Sequence, residues 1–146
     1  MNRPLVLLAL IWASFLVFVS FAAAGDTSLH HISAHVVQLP LLAFAAIAAW
    51  RFRAAAITRT QRALGWVLSV AVPLALVGIA VELVAAVVHL GQDGWVNQAT
   101  PDIWESGVHF WAASLTVPTL MLSMLVTLIL TVTSAVQGRR RLELVR

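Results

Sequence analysis

Hydrophobic positions in this chain fall in four long blocks, residues 5–24, 31–50, 63–90 and 104–136, and polar positions are pushed into the short stretches between them. Each block is as long as, or longer than, the roughly 20 residues an α-helix needs to cross a hydrocarbon core. The pattern predicts an all-α fold, an integral membrane bundle of four transmembrane helices, forming a single domain over residues 1–146. The longest connection, between helices three and four, spans about a dozen residues, too short for a soluble appendage.

Composition narrows the class further. With 61% hydrophobic and 10% charged residues, the chain lacks the polar surface of a soluble domain. The formal net charge is +3, but the basic residues flank apolar blocks and are not interleaved with exposed aromatics, which excludes a nucleic-acid reading. Anionic lipid head groups are the expected partners, with membrane proteins or further copies of the chain beside them. Cysteine is absent, so there is no disulfide framework, thiolate ligand or redox dithiol.

All nine basic residues are arginines, and they fall on one predicted side. Arg3 precedes helix one. Arg51, Arg53, Arg59 and Arg62 lie in the link between helices two and three, and Arg139, Arg140, Arg141 and Arg146 follow helix four. Short loops rich in arginine stay in the cytoplasm, so both termini are expected inside a cell inner membrane. The opposite loops carry Asp26, Asp93 and Asp102 and no arginine. Trp50 and Trp66 near the inner interface, and Trp95 and Trp104 near the outer one, fit the aromatic belts. Residues 1–24 also resemble a signal peptide, with Ala22, Ala23 and Ala24 as a small-residue site. Their apolar core exceeds the roughly 7 to 15 residues usual there, which favours an uncleaved first helix.

Histidine shows the opposite bias. His30, His31, His35, His89 and His109 all gather at the outer end. At about 100° per residue, His31, His35 and Gln38 share one face of helix two. Ala71, Ala75, Gly78, Glu82, Ala86 and His89 share a small-residue face of helix three, along which a neighbouring backbone can approach closely. Glu105, His109, Ala112, Thr116, Ser123 and Thr127 form a stripe on helix four. His35 and His109 lie about five residues inside their helix ends, roughly 7 to 8 Å at the α-helical rise. Glu82 lies about two turns below His89, and a carboxylate so deep in a span is expensive unless paired or protonated.

Three helices therefore direct imidazoles, and two of them carboxylates, toward one centre. The candidate ligands are His31, His35, Glu82, His89, Glu105 and His109. Imidazole nitrogen and carboxylate oxygen suit a zinc, iron, manganese or copper(II) ion. Haem b held by His35 and His109, with His89 in reserve, is the alternative, although every arginine that would pair its propionates is at the far face. The segment His30-His31-Ile32-Ser33-Ala34-His35 resembles one histidine box of the membrane di-iron oxygenases. Those boxes recur several times in longer chains, so that activity is not carried over.

Plainer roles compete for several of these residues. His30 and His89 are near enough to the interface to bond loop carbonyls or head groups. Glu105 follows Asp102 by three residues, as in a capping box, and the hydroxyls of helix four are expected to bond to their own helix's carbonyls. Pro40, Pro73 and Pro118 interrupt helices two, three and four, which fits either hinges or ordinary re-satisfied kinks. Three functions follow: metal or haem binding for electron transfer or metal handling, an accessory or assembly subunit of a membrane complex, or a small proton- or ion-coupled transporter. The chain contains no nucleophile constellation, phosphate loop or dinucleotide fingerprint.

Overall fold

The computed structural model of the chain describes residues 3–24, 28–93 and 107–143, and the side chains of 3–20, 29–91 and 107–137. They form four helices: α1 (Arg3–Ala24), α2 (Ser28–Ala54), α3 (Arg59–Asp93) and α4 (Gly107–Glu143). All four contain stretches long and apolar enough to cross a membrane: Arg3–Ser20, Leu29–Ala54, Arg59–Gly91 and Gly107–Gln137. That suggests a multi-pass membrane protein. Exposed apolar side chains such as Phe44, Val84, Trp111 and Met121 cover the outer surface, as suits a hydrocarbon solvent.

The helices pack in chain order around a square: α1 on α2, α2 on α3, α3 on α4, with α4 closing thinly on α1 and no close backbone approach across the diagonals among the described residues. At the centre lie Leu7 and Ile11 of α1, Leu42, Ala45 and Ala49 of α2, Leu68, Val72 and Ile79 of α3, and Leu120, Val126 and Leu130 of α4. Helix α1 is thus an integral wall of the bundle.

Two glycines set how closely α3 approaches its neighbours. A Cβ on Gly65 would lie 3.1 Å from Arg53 Cα, and one on Gly78 would run into Thr116 Oγ1. Both crossings need the missing side chain, as small-residue faces allow. Pro40, Pro73 and Pro118 lie inside continuous helices.

The link between α2 and α3 is tighter than the arginine pattern implies. Arg51 and Arg53 belong to the last turn of α2, and Arg59 and Arg62 to the start of α3. Thr58 caps α3: its Oγ1 accepts the Gln61 amide at 3.1 Å, and Gln61 Oε1 accepts the amides of Ile57 and Thr58 at 3.3 and 3.5 Å. This is a Thr-x-x-Gln capping box, and it removes the need for a loop. The Arg53 guanidinium lies between two indoles, 3.8 Å from the ring centroids of Trp50 and Trp66, a cation–π arrangement that holds a charge at the bundle's end. The expected start of the fourth helix at Trp104, its preceding loop and Glu105 lie outside the described residues.

Candidate metal centre

The buried ionisable residues of the core collect at the end of the bundle away from the arginines. His31 and His35 are one turn apart on α2, so their rings stack on the same face, with centroids 4.5 Å apart and planes at 85°. Their Nε2 atoms are 3.0 Å apart. From α3, Glu82 Oε2 lies 3.3 Å from His35 Nε2. From α4, His109 Nδ1 lies 4.0 Å from the same oxygen, and its ring centroid is 5.9 Å from that of His31. His35, Glu82 and His109 are all buried.

Close helix packing makes this convergence possible. Ala71, Ala75, Ala86 and Gly78 form a buried small-residue strip on α3, and Gly78 lets the α4 backbone around Ala112 and Thr116 approach. Glu82, one turn beyond Gly78, then reaches the neighbouring helices instead of water.

A second layer fixes the chemistry of His35. Gln38 Nε2 donates to the Ser14 carbonyl of α1 at 3.1 Å. A carbonyl only accepts, so the opposite end of the amide, Oε1, faces His35 Nδ1 at 3.0 Å. Nδ1 therefore carries the ring proton, and in the neutral imidazole Nε2 presents a lone pair. That lone pair and the Glu82 carboxylate oxygen face each other across 3.3 Å. Two acceptors at this distance, buried in a low-dielectric interior, repel unless a cation lies with them.

A proton or a metal ion between them would relieve that repulsion. One ligand atom each from His31, His35 and Glu82 lies within 4.8 Å of the other two, a spacing compatible with one bound metal. His109 Nδ1 lies 4.0 Å from Glu82 Oε2 but is not one of this group. A histidine ligand whose other nitrogen is tied down by a hydrogen-bond acceptor is the usual arrangement around protein-bound metals.

Of the pair expected on depth, His35 lies 3.3 Å and His109 4.0 Å from the same Glu82 oxygen. His31 is one of the three residues the structure groups, with His35 and Glu82. His89 is half-buried, seven residues further along α3, roughly 10 Å at the α-helical rise, and is not one of the grouped ligands among the described residues. Gln38 bonds to His35 and to the Ser14 carbonyl. Glu105 falls outside the described residues.

The hydroxyl stripe on α4 is a packing face. Thr116 Oγ1 donates to the Ala112 carbonyl at 2.8 Å, Ser123 Oγ to Thr119 at 2.7 Å and Thr127 Oγ1 to Ser123 at 3.0 Å. Each hydroxyl proton is committed to its own helix.

Comparison with known proteins gives no match: no family model, no curated protein and no solved structure is significantly similar to the chain.

Proposed function

We propose that the protein is a small inner-membrane protein that binds one divalent transition-metal ion at His31, His35 and Glu82, with His109 completing or closing the site, for metal handling or electron transfer. The observation that carries this reading is the pair His35 Nε2 and Glu82 Oε2, two buried acceptors 3.3 Å apart, one held in its ligand tautomer by Gln38. Nitrogen and oxygen donors suit zinc, iron, manganese or copper(II), and three protein ligands leave a position open for a further group. The arrangement favours a bare ion over haem b, because His35 Nε2 already has His31 at 3.0 Å and Glu82 at 3.3 Å, where a macrocycle would need a slot.

The bilayer orientation belongs to the same proposal. Arginines at one end hold both termini in the cytoplasm and place the metal centre at the outer face. Arg3 and Arg51 flank an apolar groove along Val6, Leu10, Phe44 and Ile47, suited to an anionic head group with its acyl chain. A proton- or ion-coupled transporter is less well supported, because the α4 hydroxyls are bonded to their own helix and form no relay. An accessory subunit would need polar residues turned outward to a partner, whereas His35, Gln38 and Glu82 are turned inward.

Elemental analysis of the purified protein together with its visible absorption spectrum tests the reading. The expected result is about one metal ion per chain, no Soret band, and loss of the metal in His35→Ala. A metal-free preparation that binds none of these ions on titration overturns it.

A further inference from the structure

The metal centre forms the polar floor of a cavity of about 220 Å³. Its apolar walls come mainly from α1 and α4, with Ile79 of α3. Phe15 and Phe18 come from α1, and Val117, Leu120 and Met121 from α4, the thinnest seam of the bundle. Phe18, Val117 and Met121 are also among the exposed apolar side chains, at 37%, 52% and 61% of full exposure. The cavity therefore leads sideways from His31, His35 and Glu82 to the surface that faces hydrocarbon. A ligand reaching this floor would come from the bilayer.

Size, polarity and charge limit what fits. Cavities of about 150 Å³ lined by aliphatic and aromatic side chains hold a benzene ring, so this one takes a single substituted ring. It is too small for a glycerophosphate head with two acyl chains. The polar lining groups are imidazoles, one amide, one carboxylate and the Thr116 hydroxyl, which is bonded to its own helix, with no arginine or lysine among the lining residues. An anionic head would meet Glu82 without a fixed positive charge to balance it. A neutral hydroxyl satisfies the floor, donating to the carboxylate or offering its oxygen to the ion, while Phe15 and Phe18 pack against a ring. A tail would leave through the α1–α4 seam.

We infer that the site takes a membrane-dissolved hydroxyaromatic lipid, a quinol with an apolar tail, which enters between α1 and α4 and sets its ring hydroxyl against Glu82 and the metal ligands. This inference rests on the proposed metal centre for its polar floor, but only binding is claimed.

The test uses the full-length protein in lipid nanodiscs with an alkyl hydroquinone carrying a diazirine on its tail. After irradiation, labelled residues are mapped by mass spectrometry with and without excess unlabelled alkyl hydroquinone, and metal content is measured on the same samples. Labelling should concentrate at Phe18, Val117 and Met121 and be displaced by competitor. Val117→Trp, which closes the mouth at an exposed position, and Ala113→Trp, which fills the cavity, should each cut specific labelling at least tenfold while metal content stays unchanged. Labelling spread evenly over lipid-facing positions such as Phe44 and Val84, or unaltered by both tryptophans, overturns the inference while leaving metal binding intact. So does labelling blocked because a second copy covers the seam. A protein that binds no metal yet shows displaceable labelling at the seam refutes the metal reading alone.

Discussion

Gln38 ties His35 to the backbone of a different helix: its amide accepts from His35 Nδ1 at 3.0 Å and donates to the Ser14 carbonyl at 3.1 Å. The link fixes ring orientation and tautomer together. Gln38→Leu keeps the volume but removes both bonds, leaving Nδ1–H unpaired. Losing such a supporting contact lowers metal affinity by about 10- to 100-fold, measured by competition with a chromogenic chelator. Gln38→Glu, which can still accept from Nδ1–H, should recover most of the affinity. If Gln38→Leu binds metal as tightly as the parent, the tautomer argument is wrong.

Glu82→Gln distinguishes the two cations that can lie between Glu82 and His35. An amide N–H donates directly to the His35 Nε2 lone pair, so the pair no longer needs a proton or metal ion. Metal binding should be lost, while the metal-free variant should equal or exceed the parent in thermal stability. Glu82→Ala also loses metal but removes the α3 contact of His35 Nε2 and leaves a void beside it, and should be less stable than Glu82→Gln by about 1–3 kcal/mol. Ranking the three proteins by melting temperature in detergent without metal provides the check. Glu82→Gln less stable than Glu82→Ala would contradict the facing-acceptor picture.

Metal retention should depend on pH with a definite sign. Imidazole and carboxylate ligate only when deprotonated, so binding releases protons and weakens as pH falls. Bound metal should stay in place at neutral pH and dissociate progressively on acidification. Dialysis over a pH series followed by elemental analysis measures the profile. Because the ion binds the folded state, the melting temperature should rise on adding metal at neutral pH and show a smaller rise at acid pH.

Much of this arrangement was legible in the sequence, and the gaps have physical causes. The i, i+4, i+7 spacing of His31, His35 and Gln38 and the strip leading to Glu82 place their faces correctly, because a helix converts spacing into direction. Likewise, the α4 hydroxyls are the packing face that intrahelical bonding predicts. Ser14 could not be found this way: it acts through its carbonyl, which every residue carries. Phe15 and Phe18 were equally hidden, since α1 is apolar all round and its pattern marks no inward face. The Thr58-x-x-Gln61 cap did have a signal, outweighed by the arginines around it. His31 shares one turn with His35, and that spacing brings its ring to the same group.

Gly78 controls the spacing between α3 and α4, and through it the reach of Glu82. A methyl group at this position would collide with Thr116 Oγ1 and lie 3.1 Å from the Ala112 carbonyl. Gly78→Ala should therefore cost about 1–3 kcal/mol, as overpacking does, and weaken metal binding by moving Glu82 away from His109. Thr116→Ala removes the nearest atom, so the double variant should recover part of the stability but not all, because the carbonyl contact persists. Melting temperatures of the two single variants and the double one form a cycle whose coupling should be clearly favourable. Purely additive losses would mean the helices do not meet at this point.

The absence of cysteine allows orientation to be tested with single introduced thiols. Ile57 lies in the α2–α3 link at 76% of full exposure, and Gly91 lies near the opposite end of α3 with open space around its Cα. In the proposed orientation, a membrane-impermeant maleimide applied to spheroplasts should label Gly91→Cys and leave Ile57→Cys unmodified until the membrane is broken. The arginines dictate this direction, since the short link between α2 and α3 carries Arg51, Arg53, Arg59 and Arg62 at its edges and such charge is retained inside. The reverse labelling pattern would put the metal centre on the cytoplasmic side. It would also mean that the arginine bias does not set the topology of this chain.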